Sequence, residues 1–321
     1  IVLILNHKNM STIFRKRQTD PFYTDTERNE ILSIINKHVE KTEFAKTIGL
    51  VDKSDVGWIK FADKRLPFFA GQENWITKLH NLIAPNRKNY TETLYHFKSS
   101  EIALKILSTK KIQLSALSDK NFNDLAELTE YHNRYENDTL IPSHQTADYK
   151  FLIYILCLTN GFDNDYFWKE FNNTNDKICL GIKFSNIMED RAVECKDVFY
   201  DTGYALDFLN DIRNELKAKF GIHLKFQSLL SEWAPYFYKR NKFDVEKETR
   251  IAINYLRLSK ENRELAKIGG NEQRYYIELD FENPFFVMTI TELIVSKELA
   301  NDKKELFKDF CKTNDILFKE R

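Results

Sequence analysis

The 321 residues balance 48 Lys and Arg against 48 Asp and Glu, so the formal net charge is zero. That excludes a basic coat for nucleic acid along the whole chain, but not a local basic groove. Hydrophobic residues make up 42% and aromatic residues 14%, with 25 Phe and 15 Tyr, enough for a large core.

Residues 1–9 (IVLILNHKN) are too short for a signal peptide and lack its cleavage pattern. They precede Met10-Ser11-Thr12, which reads as a start, so the first nine are expected to be upstream of the native chain. From Thr24 to Lys41, apolar residues recur at Ile31, Leu32, Ile34, Ile35 and Val39, with acids early and Lys37, His38 and Lys41 late. This is the pattern of an amphipathic helix with favourable charge order. Residues 50–86 mix short apolar pieces with Pro67, Gly71 and Pro85, and read as helices and loops. Residues 1–90 are thus expected to form a mainly helical N-terminal extension, and 91–321 a second domain.

Beyond residue 90, Leu94 to Phe97 reads as a strand, and Ser99 or Ser100 caps a helix that runs to Leu107. Residues 111–117 read as a strand, followed by a polar loop around Asn121 to Asp124. The continuous apolar run 150–158 reads as a strand buried on both faces. Asp163 and Asn164 can cap a helix carrying Phe167, Trp168 and Phe171. Strands are expected at 178–184 and 198–200, and helices at 206–220 and 226–238. A strand at 243–253 precedes a charged stretch from Ser259, a turn at Gly269-Gly270, strands at 274–279 and 293–296, and a helix from Asp302. Strands and helices mix without strict alternation, which makes the fold class α+β.

Glycine numbers only 9, against roughly 7% in ordinary proteins. No GxGxxG or GKS/GKT element is present, so neither a Rossmann fingerprint nor a P-loop supports a nucleotide site. Cys157, Cys179, Cys195 and Cys311 show no CxxC spacing, and three of them sit in or beside apolar runs. They read as reduced core residues of a cytoplasmic protein. The seven histidines form no HExxH or HxxxH pair, so no metal site is expected. No apolar stretch approaches the ~20 residues that span a bilayer.

In a strand over 243–253, alternate side chains share a face. Glu246, Glu248 and Arg250 would then line one side, with neighbours about 7 Å apart, and Val245, Ile251 and Ile253 the buried other. Two carboxylates and a guanidinium on one face suit a cleft handling a developing positive charge. Taken alone, the strand favours a solvated face with a cross-strand ion pair, which is what surface charge runs usually mean.

The order of motifs carries a resemblance. Tyr95-His96-Phe97-Lys98-Ser99 precedes Ile106-Leu107, Ile112-Gln113-Leu114-Ser115 and Asn123-Asp124. Leu156-Cys157-Leu158-Thr159 follows, then Phe167-Trp168-Lys169-Glu170-Phe171, Cys179-Leu180-Gly181-Ile182 and Glu246-Lys247-Glu248-Thr249-Arg250. From Leu94 to Ser296 this resembles the bacterial family known as domain of unknown function 2971 (DUF2971), with its NDP, mWxxY and ExEwR signatures. The chain departs from that pattern at Leu125 (Pro in the family), Phe167 (Met), Phe171 (Tyr), Thr249 (aromatic) and Ser296 (Gly). Phe171 and Thr249 remove a phenol and a ring from the implied cleft.

That layout in turn is similar to the ADP-ribosyltransferase fold of the DarT and poly(ADP-ribose) polymerase branch, a split mixed sheet with flanking helices. The resemblance implies cleavage of the N-glycosidic bond of NAD through an oxocarbenium-like centre, with a carboxylate beneath the ribose. It implies Glu248 as the catalytic carboxylate and Glu246 as the group orienting the acceptor. His96 would contact the ribose. Tyr95, Ser99, Trp168, Phe171, Arg250, Asn123 and Asp124 would complete the nucleotide side. From the residues alone, each has a plainer role. Glu248 can pair with Arg250, His96 can be satisfied by backbone, and Tyr95 and Phe167 suit core packing, with Trp168 open between packing and cofactor. Asn123 and Asp124 suit a turn, and Ser99 and Ser100 suit helix caps that can also receive a phosphate.

The implied function is an NAD-dependent toxin or anti-phage effector that modifies a protein or nucleic-acid acceptor, or hydrolyses NAD. NAD is then its substrate, and an antitoxin or regulatory partner is expected. The departures keep open a non-catalytic module that binds a nucleotide or partner. A weaker alternative is a metal-dependent nuclease using Glu246, Glu248 and Asp124.

Overall fold

The computed structural model describes residues 23–61, 64–69, 75, 78–79, 92–116, 153–169, 176–188, 192–201, 207–222, 237–271 and 274–321. The chain divides into two compact units, residues 1–82 with 203–232 and residues 83–202 with 233–321. The segment 203–232, which the sequence reading assigns to the second domain, is thus counted with the first unit.

In the first unit, Thr24 and Glu27 form a reciprocal capping box that opens helix Asp25–Lys41. Its buried stripe, Ile31, Ile34, Ile35 and Val39, meets the Phe208, Leu209, Ile212 and Leu216 face of helix Asp207–Phe220. Glu215 on the second helix receives Lys37 at 3.0 Å and His38 at 2.8 Å from the first. Between these helices in sequence, the expected run of helices and loops instead contains a hairpin, β1 (Val56–Phe61) and β2 (Lys64–Phe69). Pro67 does not prevent it, because each strand of a two-stranded sheet has an open edge where no amide donor is needed.

The second unit is built on a ten-stranded, mostly antiparallel sheet. Its strands are β3 (Leu94–Ser99), β4 (Lys111–Ala116), β5 (Ile153–Thr159), β6 (Lys177–Ser185), β7 (Val193–Asp197), β10 (Glu248–Asn254), β11 (Ile268–Asn271), β12 (Arg274–Asp280), β13 (Val287–Val295) and β14 (Leu317–Glu320). A separate parallel pair joins β8 (Phe199–Asp201) to β9 (Tyr238–Arg240). β13 and β14 run parallel, and the other pairs of the large sheet are antiparallel.

β5 is the branch point. One edge pairs with β10 along all seven residues. The other edge is divided, with Ile155 and Tyr154 pairing β4 and Thr159 pairing β3. The sheet therefore splits along β5. Helices Ser100–Thr109 and Asn301–Thr313 cover one face through Ala103, Ile106, Leu107, Phe307 and Cys311, against Leu94, Leu156, Leu180 and Ile251. Tyr95, Phe97, Cys179 and Ile294 form a smaller cluster with Phe162, Phe167 and Trp168.

Several expectations are corrected. Gly269 and Gly270 lie in β11 and not in a turn; a Cβ on Gly269 would meet the Tyr276 ring at 2.8 Å, so glycine there makes room for a cross-strand aromatic. The helix expected to reach residue 238 gives way to β9 by Tyr238, and 226–236 lie outside the described residues. β7 and β14 are additional strands. The run 243–253 is not one strand, because Asn241–Glu246 is a 3-10 helix and Lys247 turns left-handed at φ 43° before β10 begins.

Candidate functional site

β10 is buried at all seven positions, flanked by β5 on one side and β7 on the other. Ile251 and Ile253 face the main core; Glu248 and Arg250 therefore face the opposite side. Val245, expected inside, is 41% exposed, because the 3-10 turn removes it from the strand alternation. The turn is held in place from β5 and the loop after it. Thr159 Oγ1 donates to the Glu246 carbonyl at 2.8 Å, and Asn164 Nδ2 donates to that of Val245. The Asn160 N–H reaches the Lys247 carbonyl at 3.4 Å.

This irregular path still brings the two carboxylates together, on a cation the sequence reading missed. Lys239 Nζ, carried by β9, lies 2.6 Å from Glu246 Oε2 and 2.8 Å from Glu248 Oε2. Arg250 grips Glu248 with a fork, Nε to Oε1 at 2.9 Å and Nη2 to Oε2 at 3.0 Å. All four residues are buried, Arg250 completely. The Glu248 N–H donates to Tyr200 Oη at 2.9 Å. Beside this group, buried Lys196 sits 3.3 Å from Glu194 and over the Phe237 ring.

Burial alone would raise both carboxyls. For Glu248 the adjacent Arg250 and Lys239 overcome it and hold the carboxyl well below the usual range, with the Cys157 thiol adding a hydrogen bond. Glu246 goes the other way: burial and repulsion from Glu248 outweigh Lys239, so its proton affinity is raised. Burial also pushes the Cys157 thiol up, reinforced by Glu248. Glu248 is thus paired with two cations, and Glu246, among the described residues, with Lys239 alone.

A lateral row crosses the sheet through Glu292, Gly181, Tyr95, Thr159 and Glu248, each the register partner of the next. Directly opposed residues share a face. Tyr95 and Glu248 therefore stand on the same side, two strands or roughly 9–10 Å apart. The Tyr95 phenol tips towards Glu292, 3.5 Å from its Oε2; burial and that acid raise it to about 12. Gly181 keeps the row closed, since a Cβ there would lie 2.8 Å from Glu292 Cβ and 3.0 Å from Thr93 Cγ2. Gly181→Ala is expected to cost about 1–3 kcal/mol through this overpacking, read as a lowered midpoint in urea unfolding.

His96 alternates with Tyr95 and so faces away from Glu248. It occupies the split. Its ring meets the Cys157 carbonyl at 2.8 Å through Nδ1, beside the point where β3 leaves β5. A carbonyl only accepts, so Nδ1 carries the proton and Nε2 is a bare acceptor in the neutral ring. Nε2 is buried with no hydrogen-bond partner among the described residues. Burial, then the charge of Lys98, hold the imidazole well below its ordinary value.

The other expected site residues take structural positions. Ser99 caps helix Ser100–Thr109 by accepting from the Ile102 N–H. Trp168 donates its indole N–H to the Phe162 carbonyl at 2.6 Å and packs edge-on against Phe97 under the Arg321 guanidinium. Phe171, Asn123 and Asp124 lie outside the described residues. Among the described residues, no group of three His, Cys, Asp or Glu side chains is arranged to hold a metal, and no helix is long and apolar enough to cross a membrane. Lys239, Cys157 and Tyr200 join the cluster without a sequence signal: each comes from a different strand, and only tertiary pairing brings them together. No protein-family model matches this chain, and no curated protein matches it either.

Proposed function

We propose that the second unit is a DUF2971-type domain of ADP-ribosyltransferase-like fold. In this reading it uses NAD as substrate, as a toxin or anti-phage effector, with Glu248 as the carboxylate beneath the nicotinamide ribose. The observation that supports this is the strand arrangement around β5. The first motif strand (β3, followed at once by a helix), the middle strand (β5, followed by the aromatic helix Asp165–Lys169) and the carboxylate strand (β10) are neighbours in a sheet that splits there. Tyr95 and Glu248 share a face in that arrangement. For catalysis Glu248 has to exchange part of its cation shell for the ribose, since a carboxylate neutralised by Arg250 and Lys239 has little charge left for an oxocarbenium centre. His96, on the other face, would then contribute through the split and not beside Glu248.

A second reading, a non-catalytic module that binds a nucleotide or partner, is favoured by that same cation shell. The test incubates purified protein with NAD and bacterial lysate, following nicotinamide release and label transfer beside Glu248→Gln. Release by the wild type, lost in a variant that still unfolds cooperatively, is the expected result for the enzyme. A folded wild type that releases no nicotinamide in any lysate sinks the enzymatic reading and leaves the binding module.

A further inference from the structure

The two carboxylates on Lys239 are unequal. Glu248 is anchored by the Arg250 fork as well as by Lys239. Glu246 pairs with Lys239 alone among the described residues, and the second carboxylate on the same ammonium repels it. It is also carried differently. Glu248 sits within β10, whereas Glu246 ends a six-residue 3-10 helix followed by a left-handed, non-glycine residue, Lys247 at φ 43°. The same short segment exposes Lys242 and Lys247, and its Phe243 ring lies 5.5 Å from Lys239 Nζ and 4.7 Å from Lys242 Nζ. The segment also exposes Asp244, but across residues 239–250 five cations stand against three acids, a local excess that attracts anions.

We propose that the Glu246 carboxylate competes with a phosphate-class anion, such as a nucleotide diphosphate, for the Lys239 ammonium. Glu246 is in this respect an internal competitor, and Lys239 is the anion subsite. The choice of a nucleotide diphosphate rests on the NAD reading above; the competition itself does not. Replacing one carboxylate by a phosphate oxygen keeps a negative partner on Lys239 and leaves the Glu248–Arg250 fork untouched.

The test is calorimetric titration of the wild type, Glu246→Gln and Glu246→Asp with pyrophosphate and with ADP, circular dichroism confirming each fold. A site blocked about nine-tenths of the time gains about tenfold in apparent affinity when the block is removed. Glu246→Gln is therefore expected to bind both probes about tenfold more tightly than the wild type. Should the glutamine variant fail to fold, Glu246→Asp carries the comparison, since it withdraws the carboxylate from Lys239 by one methylene. Unchanged or weaker binding of both probes in a folded variant overturns the inference. Nicotinamide release does not enter the measurement. Tighter anion binding without release removes the enzymatic reading and keeps the competitor, whereas release without tighter binding does the reverse.

Discussion

Arg250→Ala is expected to destabilise the protein by about 3–5 kcal/mol, the usual cost of stranding one partner of a buried ion pair. The guanidinium is fully buried and forks onto Glu248. Its removal leaves two buried carboxylates sharing Lys239. Urea unfolding of Arg250→Ala, Glu248→Gln and the double variant Arg250→Met/Glu248→Leu measures this directly. Both single changes should lose stability, and the double change should recover much of it, because no charge is then left unpaired in that pair. A loss below about 1 kcal/mol in Arg250→Ala would mean that the pair behaves as an exposed one. The result also governs the functional test. Glu248→Gln strands Arg250 as well as removing a candidate catalytic group, so lost activity means something only in protein shown to be folded.

A pH dependence is the second large effect, and it comes from His96. Burial, with Lys98 adding to it, depresses the folded imidazole well below its ordinary value of 6.5. Above pH 6.5 the ring is neutral in both states, and its contribution is fully present. Below 6.5 the unfolded chain takes up a proton that the folded chain refuses, so stability falls as the pH drops towards the folded value. The slope is at most about 1.4 kcal/mol per pH unit for one such group. Glu248 acts in the same direction but only below its ordinary 4.5, while Glu246, shifted upwards, opposes it. His96→Gln removes the titrating group while leaving a side-chain donor near the Cys157 carbonyl. Urea unfolding between pH 5 and 6.5 should show a flatter profile in the variant. An equal slope in both proteins would assign the acid sensitivity elsewhere.

Much of the secondary structure was legible because it rests on local chemistry. Thr24 with Glu27, Ser99 before its helix, and the continuous apolar run of β5 each declare themselves within a few residues. The α+β class followed from their order. The carboxylate segment misled for a physical reason. Its alternation of Glu246, Glu248 and Arg250 is a strand pattern, but the carbonyls of Val245, Glu246 and Lys247 are held by Asn164, Thr159 and Asn160, more than 80 residues earlier. No local period encodes that. The ion pair of Glu248 with Arg250 was readable as one of two alternatives, whereas Lys239 was not, since its role depends on β9 pairing with β8. β7 went unread because Val193-Glu194-Cys195-Lys196 hides a buried lysine and a half-buried glutamate in a short strand.

Those hydrogen bonds from Thr159, Asn160 and Asn164 make one mechanical piece of two segments far apart in the chain. The loop that positions Phe162 and Trp168 and the turn that positions Glu246 are bolted to each other, so neither has an independent coordinate. A substitution such as Asn164→Ala, outside the charge cluster itself, is therefore expected to loosen the turn that presents Glu246 to Lys239.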